Sequence, residues 1–157
     1  MHKTAMARKR VSKPMEWIMK NVDIAGNILH FGEGRAWLDT DALSAYGDVA
    51  AYEPYPDDKY PGYAAKTILP DKHFDYIIAI YVLNVLEPTE RMKVLKWLRE
   101  HGDVVLVAVR TDKINGKRYK DGVKTSTGTF QKSFGDYDLN KLGKVLTKTP
   151  SFAIVEL

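Results

Sequence analysis

Cysteine is missing from all 157 residues, which removes disulfide frameworks, thiolate zinc sites and cysteine nucleophiles together. Long apolar runs are missing too, since none approaches the roughly 18–20 residues that a membrane helix needs. The four histidines, His2, His30, His73 and His101, are scattered without ligand spacing, so no metal is expected. The basic start "MHKTAMARKRVSKPMEW" has no apolar core and does not read as a secretion signal. A phosphate-binding loop of the GxxxxGK[ST] kind is absent, as are internal repeats and low-complexity segments. These absences leave a cytoplasmic, single-domain protein, with a monomer expected because no long amphipathic helix asks for a partner.

What is present is unevenly charged. Twenty-four Lys and Arg against 20 Asp and Glu give a net charge of +4, a mild excess compatible with a nucleic-acid partner. Arg8, Lys9, Arg10 and Lys13 crowd the start, so residues 1–13 read as a flexible basic arm ahead of a compact domain over 14–157. A second basic cluster runs from Arg110 to Lys132, opposed only by Asp112 and Asp121.

Periodicity supplies the fold. "KPMEWIMKNV" places Met15, Ile18, Met19 and Val22 on one helical face, with Pro14 in the first turn. Asn27 to Phe31 reads as a strand, residues 38 to 46 as a helix closed by Gly47, and "DVAAYEP" as a strand stopped by Pro54. After an irregular stretch, "YAAKTIL" is a candidate short strand. "FDYIIAIYVL" is continuously apolar, as a strand covered on both faces should be. Pro88 opens a helix running to about Glu100 with Val94, Leu95 and Leu98 on one side, and "DVVLVAVR" is another buried strand. Residues 111 to 136 are polar with turn signals; a helix over 138 to 146 and a strand "SFAIVEL" close the chain. Alternating strands and helices predict a single α/β, doubly wound, mostly parallel sheet with helices on both faces.

Ligands bind such sheets beyond the carboxyl ends of the strands. "FGEG", "YEPY" and "YVLNVL" all fall there. Glu53 lies about twenty residues past Gly32 and Gly34, the spacing at which a carboxylate can accept from two ribose hydroxyls while glycines admit the ligand to the backbone. A plain turn with an incidental glutamate remains the alternative. A dinucleotide site is disfavoured because no third glycine follows and no second nucleotide-binding half is present. His30 reads as a hydrogen-bonded buried imidazole.

The order "ILHFGEG…AAYEPY…FDYIIAIYVLNVLEPTERMKVLKWL…DVVLVAVR", with "DGVKTSTGTFQKSF" beyond it, resembles a class I S-adenosylmethionine-dependent methyltransferase. It is particularly similar to the small-domain family of methyltransferases associated with DNA phosphorothioation. The resemblance spans about residues 27 to 157 and implies S-adenosylmethionine as cofactor. Gly32 and Gly34, with Glu33 between them, would border its methionine part. Glu53 would hold the ribose, and Pro54 and Tyr55 would lie near the adenine. Tyr81, Val82 and Asn84 would follow the central strand, with Tyr81 and Asn84 as catalytic or acceptor-holding groups; a core aromatic and a helix cap are their structural alternatives. The chain departs from the family's pattern in carrying His30 where an acidic residue precedes the glycines, and Ala36 in place of a third glycine. The Asp/Asn/Ser-Pro-Pro-aromatic motif of amino-methylating DNA enzymes is absent.

The implied substrate is nucleic acid, DNA first. Lys117, Arg118, Lys120, Lys124, Thr127, Phe130, Gln131 and Lys132 supply phosphate contacts and stacking on this reading, and a solvated hairpin on the other. Two further alternatives are a non-catalytic cofactor- or nucleic-acid-binding protein of the same fold, and a methyltransferase for a small molecule or a protein.

Overall fold

The computed structural model describes residues 9–56 and 66–157. Most of the basic arm and the acidic pair Asp57–Asp58 lie outside the described residues. In chain order the elements are α1 (Lys13–Asn21), β1 (Asn27–Phe31), α2 (Trp37–Leu43), β2 (Asp48–Tyr52), β3 (Phe74–Ile80), a 3-10 turn (Leu83–Val85), α3 (Pro88–His101) and β4 (Gly102–Arg110). Three short strands follow, β5 (Lys117–Tyr119), β6 (Gly122–Lys124) and β7 (Phe130–Gln131), then α4 (Asp136–Leu142), β8 (Lys144–Lys148) and β9 (Phe152–Glu156).

Six strands form the main sheet in the order β2-β1-β3-β4-β9-β8. Strands β2, β1, β3 and β4 are mutually parallel, and β9 runs against both of its neighbours. The chain leaves β1 outward to β2 and then returns across β1 to β3. The winding therefore reverses between β1 and β3, and the two carboxyl ends splay apart there into a crevice.

Both faces of the sheet are dry, which explains why β3 and β4 are apolar without interruption. Leu29, Phe31, Ile77, Val105, Val107 and Val109 meet Leu98 of α3 and Leu139 and Leu142 of α4 on one face. Ile28, Ile78, Leu106 and Ala108 meet Met15 and Ile18 of α1 and Leu43 of α2 on the other. The expected doubly wound architecture is the one observed.

Helix α1 starts where its cap dictates. Ser12 has extended backbone angles, and its hydroxyl accepts from the Met15 N–H at 3.3 Å. The Ser12 N–H and Oγ–H in turn donate to the two carboxylate oxygens of Asp39, at 2.8 and 2.6 Å. Both residues are buried, so one carboxylate ties the first turn of α1 to α2. Val11, just ahead of this cap, packs against the same core as α1.

Several elements differ from the sequence reading. Helix α2 ends at Leu43, three residues short of the expected end, because residues 44 to 46 tighten into turns before Gly47. Of "YAAKTIL", residues 63–65 lie outside the described residues, and Lys66 makes only an isolated parallel bridge to Tyr52. The polar segment after β4 contains β5, β6 and β7, which form their own antiparallel sheet. The last helix starts at Asp136 and stops at Leu142, because Gly143 has φ 168 and the chain turns straight into the edge strand β8.

Replacing Asp39 by alanine strands the buried N–H and hydroxyl of Ser12. The expected cost is about 2–4 kcal/mol. Urea unfolding of Asp39→Ala should show that loss, and a change below about 0.5 kcal/mol, as at an ordinary surface position, would contradict the tie between α1 and α2.

Candidate functional site

The crevice is built first by a glycine turn. Gly32 follows β1 with φ 73 and Gly34 has φ 58, values that a Cβ would strain. A Cβ on Gly32 would also sit 2.5 Å from Val82 Cγ2, so the chain after β1 passes directly against the chain after β3. The Gly32 and Glu33 N–H groups both donate to the Tyr52 carbonyl, at 2.9 and 3.0 Å, and fold the turn over the end of β2.

Glu53 completes this corner. One carboxylate oxygen accepts from the Gly34 N–H at 2.6 Å and the other from the Tyr55 N–H at 2.9 Å. Glu53 is 9% exposed, so its carboxylate is already oriented by two backbone donors. Each oxygen keeps lone-pair capacity for a further donor. Tyr55 is 43% exposed beside it.

Beneath the turn lies a buried polar chain. The Thr40 hydroxyl donates to Glu33 Oε2, and Thr40 Oγ1 lies 2.6 Å from His30 Nδ1. A hydroxyl has one proton, so the one given to Glu33 leaves Thr40 to accept from His30, and His30 carries its proton on Nδ1. His30 is thus the hydrogen-bonded buried imidazole that was expected, 1% exposed. Burial drives its pKa down to about 4, with Asp39 pulling the other way. Burial likewise raises the Glu33 pKa; the Thr40 hydrogen bond offsets part of this, while Glu53 and Asp39 add repulsion. Glu33 had been placed among the cofactor-binding residues, but its side chain is turned down to α2. It clamps the turn from below.

At the end of β3, Tyr81 has φ 58, a left-handed conformation that costs a non-glycine residue about 1–2 kcal/mol. Its N–H reaches across to the Ala108 carbonyl of β4 at 2.8 Å. Val82 packs into the core against Gly32. Asn84 is buried in the 3-10 turn; its Nδ2 donates to Gln131 Oε1 at 3.2 Å, and its Oδ1 is buried with no partner.

The small sheet docks on this turn. The Lys132 N–H donates to the Asn84 carbonyl at 2.7 Å. Arg91, 8% exposed, is the hub: Nε donates to the Leu83 carbonyl at 3.2 Å and Nη2 to the Leu86 carbonyl at 2.8 Å. Its fork also grips Asp121, at 2.6 and 3.1 Å, and the guanidinium lies 6.0 and 5.8 Å from the Phe130 and Phe134 rings. Lys132 Nζ donates to the Asp121 carbonyl at 3.2 Å and pairs with Asp138 at 3.3 Å.

This network corrects the expected substrate surface. Lys132 and Phe130 are buried, Gln131 is held by Asn84, and Lys120 pairs with Glu87 at 3.0 Å. Lys132, Phe130 and Gln131 dock the small sheet, while Lys117, Arg118, Lys120, Lys124 and Thr127 stay exposed. Thr127 shares a hydroxyl contact with Thr125 at 3.0 Å. Arg91 was overlooked in the sequence, yet it lies seven residues before Leu98 and four before Leu95, on the apolar side of α3. An arginine on that stripe signals a buried, paired guanidinium. Among the described residues no group of three or more His, Cys, Asp or Glu is placed to hold a metal, and no helix is long and apolar enough to cross a membrane.

No protein-family model and no curated protein matches the chain. Solved structures do. A complex of DhpI with SAM and HEP superposes with a TM-score of 0.68 at 15% identity, over 91% of this chain and 83% of that one. The glycopeptide N-methyltransferase MtfA with S-adenosylmethionine gives 0.60 at 15%, over 98% and 96%. Magnesium protoporphyrin IX methyltransferase from Synechocystis PCC 6803 with SAM gives 0.57 at 14%, over 92% and 75%. The chain has the Rossmann-like α/β fold of class I methyltransferases.

Two outcomes follow from the buried groups. Arg91→Ala should cost about 2–3 kcal/mol, below the full value for a buried pair because Asp121 reaches water. Hydrogen exchange over residues 117–131 should accelerate with it, and unchanged protection would contradict the docking role. His30, at about 4 when folded and 6.5 when free, contributes stability that is present above pH 6.5 and lost as pH falls through 4. Glu33 has the opposite sign, favouring the fold below its free value of 4.5 and losing that contribution as pH rises through its raised pKa. In urea titrations at several pH values, His30→Asn, which keeps a donor for Thr40, should lose less stability on acidification from neutrality than the parent. Equal losses would contradict the assignment.

Proposed function

We propose that this chain is an S-adenosylmethionine-dependent methyltransferase. The observation carrying this reading is the Glu53 carboxylate, set at the end of β2 by the Gly34 and Tyr55 N–H groups, beside a turn whose glycines leave the backbone open. A carboxylate with two oriented oxygens and spare lone pairs fits a ribose diol. The neighbouring folds whose names include bound SAM support the same cofactor.

When bound, S-adenosylmethionine supplies an electrophilic methyl group on a sulfonium, a donor that needs no acid from the protein. Glu53 would accept from the ribose hydroxyls, with Pro54 and Tyr55 alongside the base. Gly32, Gly34 and Val82 would line the methionine end. Tyr81 and Asn84, at the end of β3, would hold the acceptor in line, the orientation that lowers the barrier for a displacement of this kind. The left-handed Tyr81 backbone is consistent with a residue kept strained for such a task.

Nucleic acid, DNA first, is the acceptor class supported by the exposed Arg118 on the small sheet beside the end of β3. A small-molecule or peptide acceptor is the second reading. It is favoured by the use of Phe130, Gln131 and Lys132 to dock the small sheet, and by structural neighbours named for glycopeptide and magnesium protoporphyrin IX methylation. A non-catalytic binding protein would keep the cofactor and transfer nothing.

Calorimetric titration with S-adenosylhomocysteine should show one-site binding in the micromolar range. Glu53→Gln should weaken it roughly tenfold or more, because one oxygen becomes an amide that cannot accept from the ribose or from the backbone N–H. No heat at millimolar ligand would overturn the reading. Methyl-labelled cofactor offered with DNA, RNA and a small-molecule extract then assigns the acceptor, and the label should enter the DNA fraction.

A further inference from the structure

The strand register of the small sheet divides its cations between two faces. Cross-strand partners share a face, and neighbours along a strand alternate. Arg118 pairs with Val123, and Val123 pairs with Gln131, so these three form one row across the sheet. Gln131 is the residue that hydrogen-bonds Asn84 at the end of β3. Lys117 pairs with Lys124, and Lys124 with Phe130, so these stand on the opposite face. That face is turned to the start of α3, where Phe130 packs near Arg91 and Glu87 pairs with Lys120.

The two faces therefore have different electrostatic tasks. On the α3 side Glu87 offsets the local positive charge, and Lys124 Nζ lies 4.3 Å over the Tyr119 ring. On the Asn84 side Arg118 is exposed and makes no hydrogen bond, ion pair or ring contact among the described residues. Two strand spacings, roughly 10 Å, separate its backbone from that of Gln131. A planar guanidinium with five free donors is matched to a phosphate or carboxylate, which it can grip with two parallel hydrogen bonds.

We propose that Arg118 is the anion-binding residue of the acceptor site, taking a phosphate group of the molecule presented to Tyr81 and Asn84. The inference rests on the methyltransferase reading for its location, and on the strand register for its choice of residue. It separates Arg118 from Lys117, which the linear sequence cannot do. Lys117 lies one residue away, also exposed, on the opposite face. Phosphate from a polynucleotide and phosphate from a small metabolite would be bound by the same chemistry.

The test compares the parent with Arg118→Ala, Arg118→Lys and Lys117→Ala, all surface changes outside the docking network. The probes are thymidine, thymidine 5′-monophosphate and a short single-stranded oligothymidylate, with binding read by nuclear magnetic resonance titration. Both phosphate-bearing probes, or the oligonucleotide alone for a polynucleotide acceptor, should bind the parent more tightly than thymidine does. Arg118→Ala should weaken that binding roughly tenfold, Arg118→Lys should restore part of it, and Lys117→Ala should leave it unchanged. Equal losses in Arg118→Ala and Lys117→Ala would mean diffuse attraction and overturn the proposal, as would binding indifferent to Arg118 or to the phosphate. S-adenosylhomocysteine affinity, measured on the same variants, should not move. If that ligand fails to bind at all while Arg118-dependent phosphate binding persists, the cofactor reading falls and the anion site stands.

Discussion

The Glu53 carboxylate holds the candidate site together. A parallel sheet delivers its strand ends to one edge but leaves the loops beyond them unpaired, so something must order them. Glu53 does so for two loops at once, taking the Gly34 N–H from the turn after β1 and the Tyr55 N–H from its own. The Tyr52 carbonyl reinforces the same corner from β2. A group that organises a loop this way is preorganised to receive a ligand, because the cost of ordering the loop has been met in folding.

A second constraint works from below. His30, Thr40 and Glu33 form a directed hydrogen-bond chain under the glycine turn, and Ser12 and Asp39 extend the buried polar layer to α1. Glu33 and Asp39 are the buried acids of this layer, and the imidazole of His30 lies between them and β1, so side chains of β1 and α2 together anchor the turn. Arg91 plays the corresponding part on the far side of the crevice, where it joins the 3-10 turn to the small sheet.

Legibility in the sequence followed the range of the interactions. The limits of β1 were readable because Gly26 and Gly32 bracket a short apolar run, and α3 was readable because Pro88 opens it and Gly102 closes it. Glu53 was readable through its spacing from the glycines. The small sheet was legible only as the alternative of a solvated hairpin, and its third strand not at all, because strands of two or three residues carry too few side chains to show alternation. Strand β8 escaped because an edge strand half open to water, "KVLTK", has no apolar run and merges with the helix before it. The role of Lys132 was hidden for a different reason: Asp121, Asp138 and Asn84 reach it from three separate segments, and nothing local distinguishes a buried lysine from a solvated one. Phe130, Gln131 and Lys132 were assigned to the substrate surface by residue type and resemblance, and tertiary docking holds them instead.

The central claim is that the corner made by the glycine turn and Glu53 receives the adenosyl cofactor. Amide spectra of nitrogen-15-labelled protein, recorded while S-adenosylhomocysteine is added, test it directly. The resonances of Gly32, Gly34 and Tyr55 should shift in a saturable way while those of β8 and β9 stay fixed. Amides of the turn that remain unmoved at millimolar ligand, or shifts confined to another part of the molecule, would contradict the account.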